Sequence, residues 1–168
     1  MYQTVIMGFI NIVFTLVAIF TVDKFGRKPL LIIGSVGMAI GMFAIGILAY
    51  FAGDLIADSP VIGMSTLVFI VIYSASFMMS WGPICWVLIS EIFPNRIRGV
   101  AMSISVFFLW LACFILTYTF PILKDSFGAG NTFWTYAVIC VGGFLLIYFR
   151  LPETKGKSLE QIERELVD

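Results

Sequence analysis

The chain has 168 residues, of which 61% are hydrophobic and 12% charged, with ten Lys and Arg balanced by ten Asp and Glu. A soluble domain carries about 25% charged and about 45–50% apolar residues, so this composition, with a mean hydropathy of +1.05, excludes an ordinary water-soluble globule. Zero net charge excludes a bulk electrostatic pull toward nucleic acid or anionic lipid, and the lack of histidine removes the commonest zinc ligand and the commonest general base.

A membrane-spanning helix takes about 20 predominantly apolar residues. Residues 1–22 contain no charge and predict the first span. The first basic residue is Lys24, after the apolar run, so the segment lacks the basic n-region of a cleavable signal peptide. Asn11 sits mid-span, where a carboxamide costs free energy unless it is hydrogen-bonded. It either bonds a neighbouring helix, the commoner case in bundles, or faces a polar substrate. Thr15, one turn on, shares its face.

The loop Asp23 to Pro29 carries Lys24, Arg27 and Lys28 between the first span and a second over 30–51. Gly26 is suited to a positive φ, and Pro29 to the first turn of a helix. Two readings fit the charges: they orient the loop, or Asp23 and Arg27 pair with charges on neighbouring helices. Within the second span, Gly37 and Gly41 form a small-xxx-small pair that predicts close helix packing.

The third apolar run, 61–90, is long enough to span with a tilt or a break. Pro83 removes a backbone donor and clashes with the preceding turn, and Gly82 permits close approach of backbone or ligand. A broken helix in a membrane is tolerated where it lines a cavity or packs on protein, and is the best sequence pointer to a transporter's central site. Trp86 lies four residues after Gly82, on the same face. The alternative is a proline kink with an interfacial tryptophan.

After this run, Glu91, Arg96 and Arg98 flank Pro94. On an unbroken helix Glu91 and Arg98 would stand about 10 Å apart, so their partners are expected on other loops. A fourth span is predicted over 99–123 and a fifth over 132–149. None of the runs shows the alternation of a membrane strand. The tail 150–168 holds Pro152 to Gly156 and then a short helix: Ser158 and Gln161 form a capping box, and Leu159, Ile162 and Leu166 make one apolar stripe. Cys85, Cys113 and Cys140 lie in different apolar runs, show neither disulfide nor zinc spacing, and read as packing residues.

Nine of the ten Lys and Arg (24, 27, 28, 96, 98, 150, 155, 157 and 164) fall on one side of these five spans, and Lys124 on the other. The positive-inside rule then makes the C-terminus cytoplasmic. An uncharged start on the outer side, with an odd span count, suggests that further sequence preceded Met1.

Four motifs, in order, resemble the sugar porter family of the major facilitator superfamily: Asp23 to Lys28, Trp81 to Trp86, Glu91 to Ala101, and Pro152 to Gly156. Within it, the chain looks most like the bacterial D-xylose:proton symporters. The resemblance implies an all-α, major-facilitator-type bundle of twelve helices in two halves around a central sugar site. This chain would form helices eight to twelve of a partial C-terminal half, with the N-terminal half and the seventh helix as missing partners. It implies a monosaccharide substrate, pentose or hexose, protons as the coupling ion, alternating access, the inner (plasma) membrane, and no cofactor or nucleic acid. By position, Asn11, Gly82, Trp86 and Trp110 look like sugar-site residues, while Leu109 departs from the Gln or Asn usual before that tryptophan. Asp23, Arg27, Glu91, Arg98 and Glu153 look like the family's charge network, which latches one side of the transporter while the other opens. The competing expectation is a non-transporting truncated protein or an assembly subunit. An intramembrane enzyme is disfavoured, since no acid pair or metal-ligand cluster lies mid-span.

Overall fold

The computed structural model describes residues 2–53, 59–93 and 96–151. They form six helices in chain order: α1 (Tyr2–Phe25), α2 (Arg27–Ala52), α3 (Pro60–Met79), α4 (Trp81–Ile92), α5 (Arg98–Phe127) and α6 (Ala129–Arg150). Four stretches among them are long and apolar enough to cross a membrane: α2, Pro60–Ile89 across α3 and α4, α5, and α6. In α1 the apolar stretch is the shorter Met7–Val22.

Two reversals of direction each rest on one glycine. Gly26, at φ 90°, separates α1 from α2, and its N–H closes on the Val22 carbonyl at 3.1 Å. Gly128, at φ 82°, separates α5 from α6 and closes on the Lys124 carbonyl at 2.9 Å. Only glycine takes this backbone without a Cβ penalty. Hydropathy leaves 124–131 outside the spans, yet α5 runs on through Lys124 and Asp125 to Phe127. Backbone hydrogen bonding continues a helix past the apolar region until a residue of the Gly128 kind stops it. Pro29 falls in the first turn of α2, where its missing N–H leaves no bond unmade.

The third apolar run is interrupted at Ser80, whose φ of −127° and ψ of −82° depart from helix. Gly82 and Pro83 themselves lie in the first turn of α4. The displacement has a direct cause. Pro83 has no N–H for the carbonyl four residues back, at Met79, and its ring crowds that carbonyl. The Ser80 N–H turns instead to Phe77 at 3.2 Å, and α4 begins with Ile84 donating to Ser80 at 3.0 Å.

The central helix is α2, with α6 on one flank and α3 on another. A Cβ added to Gly34 or Gly37 would run into the side chains of Ser80 or Ser76, and one on Gly41 would come within 3.0 Å of the Tyr73 Cβ. This glycine row brings α2 and α3 into backbone contact, the packing expected of small residues where apolar burial gives no drive between helices. On the α6 flank, Gly46 receives Trp134 and Gly130 receives Tyr50, whose rings stack with centroids 5.2 Å apart. A buried cluster of Val22, Leu30, Leu31, Ile84, Leu88 and Ile147 joins α1, α2, α4 and α6 at the end where the α1–α2 turn lies. By contrast α5 has no buried residue. It is tied to α6 by the Tyr136 hydroxyl, which donates to the Leu116 carbonyl at 3.0 Å, and by Phe120 against Phe133 and Tyr136.

Candidate functional site

The break in the third run opens onto a cavity of about 520 Å³ between α1, α3, α4 and α5. From α4 it is lined by Gly82, Pro83, Cys85 and Trp86, and from α5 by Leu109, Trp110 and Cys113. Phe77 and Met78 of α3, Trp81 of α4 and Thr15 of α1 complete the lining. The spacing explains the set. Leu109 and Cys113 are one turn apart on α5, as are Gly82 and Trp86 on α4.

Three of the four residues expected at a sugar site, Gly82, Trp86 and Trp110, are brought together on this cavity. Trp86 is 45% exposed and Trp110 63% exposed, so neither side chain is covered by the rest of the chain. A Cβ at Gly82 would meet nothing nearer than 3.5 Å. This chain's own atoms therefore leave room there, unlike the forced approaches along α2. Asn11 stands one turn from the lining. Its Oδ1 accepts from the Ser74 hydroxyl at 2.7 Å, and its backbone carbonyl accepts from Thr15 at 2.7 Å. Thr15 in turn lies 3.8 Å from the Met78 sulfur. The carboxamide oxygen thus ties α1 to α3, and the amide nitrogen remains as a donor.

The cavity wall is held from behind. The Trp81 indole N–H donates to the Ser35 hydroxyl at 2.8 Å, and the Ser35 hydroxyl in turn donates to the Leu31 carbonyl at 2.7 Å. Ser35 and Ser80 are both fully buried. Neither Ser35 nor Ser74 was singled out by sequence. A lone serine in an apolar helix has no periodicity, and the only signal is that a buried indole or carboxamide requires a partner.

Four residues of the expected charge network occupy helix ends. Asp23 and Glu91 fall in the last turns of α1 and α4, and Arg27 and Arg98 begin α2 and α5. The side chains of Asp23 and Glu91, and all of Glu153, lie outside the described residues. Arg98 donates through Nε to the Phe93 carbonyl at 3.5 Å, and Arg27 is half-buried. A second cavity of about 390 Å³, between α2, α3, α5 and α6, is lined mainly by apolar and aromatic residues such as Met42, Tyr73, Phe120 and Tyr136, and by none of the expected site residues. Among the described residues no group of three His, Cys, Asp or Glu is placed to hold a metal ion.

Residues 1–166 match the family model of the sugar (and other) transporters. The chain belongs to this sugar porter family of the major facilitator superfamily. It is 49% identical over 167 residues to the D-xylose-proton symporter of Escherichia coli strain K12, covering 96% of this chain and 32% of that protein. It is 47% identical over 165 residues to a glucose transport protein of Synechocystis, covering 95% of this chain and 35% of that one. Among solved structures it resembles the inward-open xylose transporter of Escherichia coli with a TM-score of 0.85 at 49% identity, over 96% of this chain and 35% of that chain. This sugar porter chain therefore spans about a third of the length of the relatives it matches. The cavity at the helix break sits where four of its helices converge, and none of its lining residues comes from α2.

Proposed function

We propose that the chain forms part of a transporter that carries a monosaccharide, pentose or hexose, across the inner (plasma) membrane by alternating access in symport with protons. The observation that supports this best is the cavity at the broken helix, where the Trp86 and Trp110 rings stand exposed beside Gly82. An indole face stacks on the apolar face of a pyranose while its N–H remains a donor. Asn11, one turn from that lining and with no bond from its amide nitrogen among the described residues, is the fourth sugar contact in this reading. The membrane-spanning unit is 1–149, in five crossings, and 150–168 is a cytoplasmic tail with an amphipathic helix, as the distribution of Lys and Arg favours. Asp23, Arg27, Glu91, Arg98 and Glu153 form the two-state latch on the cytoplasmic side: the pairs hold one arrangement of the halves and break in the other.

One observation favours the second reading, a membrane subunit that does not transport alone. With no buried residue in α5, the cavity wall is open on one side, and the two readings differ in whether helices from elsewhere close it. Uptake separates them. Vesicles reconstituted with the product of the whole reading frame are expected to accumulate D-xylose, D-glucose or D-galactose when an inward proton gradient is imposed. Uptake no better than in empty vesicles, with no sugar-induced change in tryptophan emission, would overturn the transport reading.

A further inference from the structure

The cavity at the helix break is unevenly furnished. Its α4 wall offers the Trp86 ring and the open backbone at Gly82. Its α5 wall offers Leu109 and Cys113, one turn apart, with Trp110 beside them. Two other donors of the lining are turned away from the cavity: Thr15 donates to the Asn11 carbonyl at 2.7 Å, and the Trp81 N–H donates to Ser35 at 2.8 Å, which leaves the indole N–H groups of Trp86 and Trp110 as its strong donors. The Leu109–Cys113 strip therefore presents methyl groups and a thiol, which is a weak donor and a weak acceptor. Whatever rests against it gains apolar contact and no strong hydrogen bond.

A sugar hydroxyl placed on such a strip loses its water and finds no replacement, which weakens binding by roughly tenfold or more. In an aldopyranose, C1 to C4 each bear a hydroxyl. The C5 edge alone varies without deoxygenating the ring: hydrogen in a pentose, methyl in a 6-deoxyhexose, hydroxymethyl in a hexose. Resting on the sugar-transport reading above, we propose that the Leu109–Cys113 strip seats the C5 edge of the sugar and makes Leu109 a specificity-determining residue, favouring 6-deoxyhexoses over pentoses and both over hexoses. A buried methyl adds about a fourfold gain over hydrogen. The hexose hydroxymethyl forfeits this gain by bringing a hydroxyl that the strip leaves unpaired.

Three sugars of one ring configuration test this: D-xylose, 6-deoxy-D-glucose and D-glucose, titrated calorimetrically against the full-frame protein in lipid vesicles. The expected order places 6-deoxy-D-glucose first, about tenfold tighter than D-glucose, with D-xylose between them. Leu109→Gln, which supplies a carboxamide to the hydroxymethyl, brings D-glucose to within about twofold of 6-deoxy-D-glucose. Leu109→Met, apolar and similar in volume, keeps the original order. Equal binding of the three sugars to the unmodified protein overturns the assignment and leaves the transport reading standing. So does an order unchanged by Leu109→Gln in a variant that still binds. Failure of all three to bind overturns both.

Discussion

The Trp81 indole donates to the Ser35 hydroxyl at 2.8 Å, and through that bond α4 is fastened to the central helix α2 beside the break at Ser80. The fastening is reinforced by shape. Gly34, the neighbour of Ser35, has the side chain of Ser80 where its own Cβ would stand. The half-helix that carries Gly82 and Trp86 is thus positioned from behind by Gly34, Ser35 and Ser80, none of which lines the cavity.

Ser35→Ala leaves the Trp81 N–H without its acceptor. Interhelical hydrogen bonds in membranes contribute on average somewhat under 1 kcal/mol and at most about 2 kcal/mol, so a loss of about 1 kcal/mol is expected, read as a lower unfolding midpoint in detergent. Trp81→Phe removes the donor too, and the double variant should be less destabilised than the sum of the two singles. Full additivity would show that the bond contributes nothing.

Gly34→Ala forces a methyl against the fully buried Ser80. Overpacking of this kind costs about 1–3 kcal/mol, and here it also bears on the helix break. The control is Gly142→Ala in α6, where an added Cβ meets nothing within 4 Å. An exposed helical glycine replaced by alanine stabilises by about 0.5–1 kcal/mol. The two changes should move the unfolding midpoint in opposite directions, and equal effects would show that the α2–α3 contact at the break is not tight.

Trp86 and Trp110 are two of the four tryptophans, the others being Trp81 and Trp134. In the proposed site, sugar binding quenches Trp86 emission, and Trp86→Phe removes most of the signal while keeping a ring. Trp86→Ala weakens binding by about two- to tenfold, the range of a stacking contact. Trp134, held against Tyr50 on the far flank of α2, serves as the insensitive reference. A sugar response that survives Trp86→Phe unchanged would place the sugar elsewhere.

The helical content was legible because uncharged runs of twenty residues have few alternatives in a bilayer. What hydropathy misjudged was where helices stop. Lys124 and Asp125 are charged, so the run appeared to end before them, yet the backbone continues to Phe127 because only Gly128 breaks it. The break in the third run was legible as chemistry, through Gly82 and Pro83, but it falls at Ser80 because a proline disturbs the turn before it. On the cavity, Gly82 and Trp86 belong to a motif legible in the sequence, and Trp110 was placed beside them by the family resemblance alone. The partners Ser35 and Ser74 could not be named, since each reaches its mate across 46 or 63 residues of chain and has no pattern of its own.

The charge network makes the last prediction. Glu91 lies in the last turn of α4, the segment that carries Trp86, and Arg98 begins α5, the segment that carries Trp110. In the proposed latch, a charge at either helix end acts on the proposed site through its helix rather than by contact. If Glu91 belongs to a latch that is made in one arrangement of the halves and broken in the other, Glu91→Gln changes the balance between arrangements while leaving the sugar's own contacts untouched. A ligand's apparent affinity shifts only by the fraction of the competent state. Sugar affinity in equilibrium binding should then change by no more than about threefold, while the maximal uptake rate falls about tenfold or more. Reversal of that split, with binding lost and the rate of the saturated transporter preserved, would remove Glu91 from the latch and place it in or beside the sugar site.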